Sequence, residues 1–189
     1  SWWRLFFWHS REDFKKYSGE GPRKFLQRIS LKYVRVRSKT MKLAHHIAII
    51  GGGQIGEALI AGLVNRKVVE PSNITVTTKH PEHAQQLASK YGIIAALTNK
   101  EAVEWSTIVV LAIKPQSWIK VVEKIGDAIK NKIIISIMAG VTLSDLMQSC
   151  KSPHVVRAMP NLPAKISRGM TVWTANHRMS HDDLQTAKT

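Results

Sequence analysis

From residue 45 onward, short apolar runs rich in β-branched residues alternate with longer amphipathic segments. Apolar runs of this length are typical of buried parallel strands, and the segments between them can form crossover helices. In the first such segment Ile55, Leu59 and Leu63 recur every four residues, so one stripe of the helix can pack on a sheet. The pattern predicts a doubly wound α/β fold, a mostly parallel sheet with helices on both faces. The predicted strands are 45–50, 73–78, 92–96, 107–112, 132–137 and 154–158, and the predicted helices are 54–66, 80–91, 99–105, 115–130 and 142–150.

A glycine-rich turn follows the first predicted strand. Its residues are Gly51, Gly52, Gly53, Gln54, Ile55 and Gly56. The G-x-G-x-x-G spacing is common by itself, but between a buried strand and a helix it is typical of Rossmann-type dinucleotide sites. In such sites the first glycine permits the tight turn, the second lets a diphosphate approach and the third lets the helix pack closely, while the helix N-terminus attracts the anion. The alternative is a glycine turn that binds no ligand.

The end of the second predicted strand bears on which dinucleotide is bound. NAD-specific sites usually place Asp or Glu there, to accept a hydrogen bond from the ribose 2′-hydroxyl. Residues 74–80 contain no acid and instead include Thr77, Thr78 and Lys79. These side chains suit a 2′-phosphate, so NADP(H) is the predicted cofactor and NAD(H) the alternative. On position alone, Lys79 can also be read as an ordinary solvated lysine.

Composition narrows the function classes. Of the 189 residues, 44% are apolar and 22% charged, which is typical of a globular protein. No apolar run approaches the roughly 20 residues of a membrane-spanning helix, so no membrane span is expected. The single cysteine, Cys150, allows neither an internal disulfide nor a cysteine-based metal cluster. The pairs His80 and His83, and His177 and His181, have helical spacing but no evident third ligand, so they are interpreted as solvated histidines and no metal is predicted.

The net charge of +15 is concentrated at the start of the chain. Residues 1–40 hold eleven Lys and Arg against three acids, together with every Phe and three of the six Trp. We interpret this segment as a poorly ordered extension upstream of a natural start near Met41, in a cytoplasmic protein. A mitochondrial presequence and a nucleic-acid-binding arm are the alternatives, and nucleic acid is not the favoured partner. The expected domains are this extension, a dinucleotide-binding domain over 41–176 and the start of a helical region over 177–189.

Several blocks of sequence together resemble pyrroline-5-carboxylate reductase, the enzyme family that makes proline from a cyclic imine. Their order and spacing match the family's N-terminal domain over residues 45–176. The blocks are IIGGGQIGEALI at 49–60, NKEAV at 99–103, LAIKPQ at 111–116, SIMAGVTL at 136–143 and VRAMPNLPA at 156–164.

The resemblance implies roles for residues at the carboxyl ends of the predicted strands. Residues Gly51 to Gly56 would hold the diphosphate, and Thr77 and Lys79 the 2′-phosphate. Two of the implied positions, the 112–115 turn and Ala139, fall just past predicted strands, where open α/β sheets bind ligands. A protonated imine is already electrophilic, so hydride transfer needs mainly alignment, and no catalytic residue is assigned. The rest of the cofactor would be lined by Asn99, Ala112, Ile113, Lys114 and Pro115, with Ala139 beside the nicotinamide and Met159, Pro160 and Asn161 on the substrate side.

The chain departs from the family pattern on the substrate side, both in single residues and in the domain that is expected to follow. Leu162, Ser167 and Arg168 replace the Thr, Gly and Glu that the family typically has. A helix with its cap is predicted from Ser180, but the family's helical C-terminal domain, which forms the dimer and binds the substrate carboxylate, is expected to be missing. We therefore expect NADP(H) binding with little turnover, and a homo-oligomer only where that domain is present. A 3-hydroxy-acid reductase and a non-catalytic NADP-binding module with a basic nucleic-acid-binding arm are the alternatives.

Overall fold

The computed structural model describes residues 45–160 and 171–188 of the chain. Some of the predictions fall on residues outside these ranges. These residues are the extension over 1–40 and the positions Asn161, Leu162, Ser167 and Arg168.

Strands and helices alternate along most of the described chain, as the pattern predicts. The predicted helix over 115–130 is interrupted, because short 3-10 turns flank its central part and Gly126 ends that part with a φ of +62°. The strands are β1 (Ile47–Ile50), β2 (Ile74–Thr77), β3 (Ile94–Ala95), β4 (Ile108–Leu111), β5 (Ile133–Ser136), β6 (Val155–Pro160) and β7 (Thr171–Ala175). The helices are α1 (Gln54–Asn65), α2 (Pro81–Tyr91), α3 (Asn99–Glu104), α4 (Trp118–Ile125), α5 (Leu143–Cys150) and α6 (His181–Lys188).

The strands form one sheet in the order β3-β2-β1-β4-β5-β6-β7. All neighbouring pairs are parallel except β6 and β7, which are antiparallel. From β1 the chain forms β2 and β3 on one side of β1. It then crosses to the other side of β1 to form β4 and the later strands, so the strand order reverses between β1 and β4. This arrangement confirms the predicted Rossmann-type fold, in which ligands bind at the reversal point.

Helices cover both faces of the sheet. One core contains Ile50, Leu111 and Leu146, with α3, α4 and α5 packed against the strands. The other contains Ile49 and Val76, with α1, α2 and α6 on the opposite face. Adjacent residues of β1 thus enter different cores, as the two-residue period of a strand requires.

The apolar stripe predicted on α1 is only partly buried. Leu59 and Leu63 pack against the core as expected, and Ile60 is fully buried. Ile55 is 49% exposed. It stands in the first turn of α1, immediately after the glycine turn at the carboxyl edge of the sheet, where the helix has only begun to pass over the strands.

The last described strand, β7, forms the edge of the sheet, and the last described helix, α6, packs on one face of it. The sequence pattern predicted no strand at β7, whose Val172 is exposed and whose Trp173 is half-buried. The helix predicted from Ser180 is confirmed, since the Ser180 hydroxyl accepts a hydrogen bond from the N–H of Asp183 at 3.1 Å. Leu184 and Ala187 of α6 pack against the same core as Trp173 of β7.

Two further features belong to the fold. Cys150 is buried at the end of α5, and this burial raises the pKa of its thiol to about 12. Among the residues that the structure describes, no helix combines the length and the apolar character needed to cross a membrane.

Candidate functional site

The glycine turn after β1 is held between the ends of the two neighbouring strands. The N–H groups of Gly51 and Gly52 both donate to the carbonyl oxygen of Thr77, at 3.0 and 3.1 Å. Gly51 has a φ of +104°, and a Cβ placed there would lie 2.6 Å from the carbonyl oxygen of Ala112. A larger residue would therefore be strained and would collide with the loop after β4.

The helices that flank the turn approach it closely. A Cβ on Gly56 would overlap the carbonyl oxygen of Gly51, so α1 begins directly against the end of β1. A Cβ on Gly52 would lie 2.5 Å from a methyl carbon of Leu87 on α2. The close packing predicted for Gly56 is thus present, and Gly52 meets a similar restriction that the sequence pattern did not reveal.

Gly53 has the opposite environment. It is exposed, precedes α1 with a φ of −69° and a ψ of −171°, and a Cβ placed there would meet nothing within 4 Å. The fold itself therefore does not need glycine at this position. The open space lies at the N-terminus of α1, where backbone N–H groups and the helix dipole favour an anion.

Other predicted site residues lie at the same edge of the sheet. The N–H of Ala112 donates to the carbonyl oxygen of Ile50 at 2.9 Å, which sets the loop after β4 beside the glycine turn. In that loop Ile113 and Pro115 are half-buried and Lys114 is exposed. The remaining positions are Ala139, exposed after β5, and Met159 and Pro160, half-buried at the end of β6.

The structure brings together two residues that the sequence assigned to different parts of the cofactor. The hydroxyl of Thr77 donates to Oδ1 of Asn99 at 2.6 Å, and Thr77 is only 3% exposed. Asn99 begins α3, which is capped by Thr98, whose hydroxyl accepts from the N–H of Glu101 at 3.1 Å. The Thr77 hydroxyl therefore orients Asn99 in this structure, whereas it was predicted to meet a 2′-phosphate.

The end of β2 presents one exposed cation. Lys79 is exposed, as its predicted contact with a 2′-phosphate requires. Thr78 is half-buried, and its hydroxyl donates to the carbonyl oxygen of His80 at 2.6 Å. Of the two threonines here, Thr78 is the more accessible.

His83 lies against the glycine turn, which its position in the sequence does not reveal. We predicted a solvated histidine, which is wrong, because the structure places His83 half-buried, with Nε2 at 2.9 Å from the carbonyl oxygen of Gly52. Nothing in the local pattern of α2 could have shown this contact, which joins residues 31 positions apart. His80, by contrast, is exposed.

Glu57 links the first two helices beside the turn. Its carboxylate accepts hydrogen bonds from Nζ of Lys90 at 2.8 Å and from the hydroxyl of Tyr91 at 3.0 Å. These two bonds, the one from Lys90 first, hold the pKa of Glu57 below its ordinary value. Within residues 45–160 and 171–188, no group of three or more His, Cys, Asp or Glu side chains could hold a metal ion.

Comparison with known proteins gives one family model and several related reductases. Residues 46–140, about half of the chain, match the family model for NADP oxidoreductases described as coenzyme F420-dependent. The pyrroline-5-carboxylate reductase of Corynebacterium melassecola is 34% identical over 147 residues, which cover 75% of this chain and 54% of that protein. The resemblance to this group of enzymes is thus confirmed. The chain spans about half the length of the curated relatives it matches.

Solved structures give the same result. The pyrroline-5-carboxylate reductase from Coxiella burnetii matches with a TM-score of 0.72 and 28% identity, covering 77% of this chain and 54% of that one. The pyrroline carboxylate reductase of Plasmodium falciparum, solved with NADP bound, shares the fold with a TM-score of 0.68 at 22% identity, over 77% of this chain and 53% of that one.

Proposed function

The chain belongs to the family of NADP oxidoreductases described as coenzyme F420-dependent, and from this premise we propose that it binds NADP(H) at the carboxyl edge of its sheet. We further propose that the bound NADPH delivers hydride to a cyclic imine, 1-pyrroline-5-carboxylate, to give L-proline. The observation that carries the proposal is the glycine turn, which leaves open space at Gly53 while hydrogen bonds to the end of β2 and close approach to the loop after β4 hold the turn in place.

The diphosphate of the cofactor fits at this turn. Gly51 and Gly52 are bound to the end of β2, and Gly56 lets α1 begin against the end of β1. The first backbone N–H groups of a helix have no carbonyl partner one turn earlier in that helix, so they can donate to phosphate oxygens. The missing side chain at Gly53 leaves room for the diphosphate to approach them.

Charge at the end of β2 favours NADP(H) over NAD(H). Lys79 is exposed there, and the strand end carries no acid that would accept a bond from a 2′-hydroxyl. A lysine beside a 2′-phosphate forms a charge-assisted hydrogen bond, which NAD(H) cannot offer. The half-buried Thr78 is a second candidate partner, whereas the Thr77 hydroxyl orients Asn99.

The imine substrate is proposed from the relatives and from the reaction. The relative from C. melassecola carries the name pyrroline-5-carboxylate reductase. Hydride adds to the imine carbon, the C=N π electrons move to the protonated nitrogen, and NADPH becomes NADP⁺. This chain's proposed part is to align the two reactants and exclude water. Ala139, Met159 and Pro160, at the carboxyl edge of the sheet, are the residues proposed for this role.

Cellular location and assembly are also proposals. Cys150 is the single cysteine of the chain and is buried, which suits a reducing compartment such as the cytoplasm. Homo-oligomer formation is proposed for proteins of this kind that carry the helical domain.

Substitution of Gly53 separates cofactor binding from folding. In the Gly53→Leu variant the added side chain should occupy the open space and weaken NADPH binding by at least about tenfold, while the backbone conformation remains accessible. Gly62→Leu is the matched control, because a Cβ there also meets nothing within 4 Å but lies further along α1. Titration of the full chain with NADPH, followed by nucleotide fluorescence, measures both. A folded wild-type chain that does not bind NADPH would contradict the proposed function.

The substrate is tested on the NADPH-loaded chain. Proline formation from 1-pyrroline-5-carboxylate should exceed that with free NADPH, and Gly53→Leu should remove the excess. Preferential reduction of a 3-oxo acid would contradict the imine as substrate and leave NADPH binding intact.

A further inference from the structure

We propose that His83 is a positioning residue for the cofactor diphosphate, and that it acts by orienting the peptide group between Gly52 and Gly53. The proposal rests on the proposed NADP(H) binding and adds a residue to that site. It starts from the 2.9 Å contact between Nε2 of His83 and the carbonyl oxygen of Gly52.

The contact identifies the donor. A carbonyl oxygen can only accept, so Nε2 of His83 must carry the hydrogen and donate it. The oxygen of Gly52 is therefore directed toward α2.

The planarity of the peptide extends this effect to Gly53. The carbonyl of Gly52 and the N–H of Gly53 belong to one trans peptide unit, in which the two groups point in opposite directions. When His83 holds the oxygen on the α2 side, the N–H of Gly53 must point away from α2. Hydrogen bonding at the oxygen also polarises the unit, which makes that N–H a better donor to a phosphate oxygen.

Helix α2 is well placed to hold His83 in position. Leu87 stands one turn after His83 on the same face of α2, and its side chain is the nearest neighbour of a Cβ placed on Gly52. At the other end of the helix, Lys90 and Tyr91 are bonded to Glu57 of α1. The imidazole therefore comes from a helix that contacts the turn by packing and is tied to α1 by hydrogen bonds.

Three variants of the full chain test the role. His83→Leu removes the donor and should weaken NADPH binding about fivefold to tenfold, the usual effect of one lost hydrogen bond. His83→Gln can place an N–H near the position of Nε2 and should bind within about twofold of wild type. His177→Leu is the matched control, because His177 is an exposed histidine that follows β7 and should leave binding unchanged.

A second ligand distinguishes positioning from general damage to the fold. Adenosine 2′-monophosphate carries the 2′-phosphate but no diphosphate, so its dissociation constant should be the same for wild type and His83→Leu. Isothermal titration calorimetry with both ligands, and thermal unfolding of each variant, give the required values.

The possible results distinguish a failure of the inference from a failure of the proposed function. If wild type binds NADPH and His83→Leu binds it equally well, the inference is wrong and the proposed function stands. Failure of His83→Gln to recover binding, or an equal loss for adenosine 2′-monophosphate, would also overturn the inference. If the folded wild-type chain binds no NADPH, the proposed function and the inference are both wrong.

Discussion

The buried hydroxyl of Thr77 donates to Oδ1 of Asn99 over 2.6 Å, which joins the end of β2 to the first turn of α3. The two residues are 22 positions apart in the chain, and both lie at the edge of the sheet that carries the glycine turn. The carbonyl oxygen of Thr77 accepts from Gly51 and Gly52, so one residue holds the turn by its main chain and Asn99 by its side chain.

Thr77→Val removes only the hydroxyl and nearly keeps the shape of the side chain. We expect the free energy of unfolding to fall by about 1 kcal/mol, because Asn99 loses its donor. Thr77→Ser retains the hydroxyl and should retain most of this hydrogen-bond contribution. Urea unfolding of the three proteins gives the comparison, and equal stability of Thr77→Val and wild type would show that the bond contributes nothing.

Lys79→Ala should weaken NADPH binding about tenfold, since it removes a charge-assisted contact to the 2′-phosphate. NADH, which lacks that phosphate, should bind as it does to wild type. Lys124→Ala changes net charge by the same amount on α4 and serves as the control. An equal loss for NADPH and NADH would mean that Lys79 does not discriminate between the cofactors.

Gly56→Ala should destabilise the protein by about 1 to 3 kcal/mol, the usual cost of overpacking. The added methyl would overlap the carbonyl oxygen of Gly51, so the turn or the helix must move. Gly62→Ala on the same helix meets no atom within 4 Å and should stabilise the protein by about 0.5 to 1 kcal/mol through helix propensity. Chemical denaturation should therefore give changes of opposite sign, and a neutral Gly56→Ala would refute the close packing.

Stability should decrease at acid pH through Glu57. The hydrogen bonds from Lys90 and Tyr91 lower the pKa of Glu57 in the folded state below its ordinary value of 4.5. The unfolded chain then binds the proton more readily, so the contribution of Glu57 is complete above pH 4.5 and is lost as the pH falls through the lowered pKa.

Glu57→Gln removes this titration. Its melting temperature should be lower than that of wild type at pH 7, and the difference should shrink as the solution is acidified toward pH 3. A difference that stays constant over this range would show that the ion pair with Lys90 has no pH-dependent effect on stability.

The helices and strands of the main α/β alternation could be predicted because they depend on local patterns. An apolar run such as Ile47–Ile50 and the glycine turn that follows it carry their own signals. The strand β7 could not be predicted in this way. It is an edge strand that pairs antiparallel with β6, and its Val172 is left exposed, so the apolar run typical of the inner strands is missing.

The sequence alone determined the α/β class, the position of the dinucleotide turn and the absence of an acid after β2, since each is a property of neighbouring residues. Only the tertiary structure decided that Thr77 holds Asn99, that His83 reaches the carbonyl oxygen of Gly52 and that Gly53, unlike Gly56, faces open space. These contacts join residues of different elements. Such neighbours are set by how strands and helices pack in three dimensions, which no local periodicity encodes.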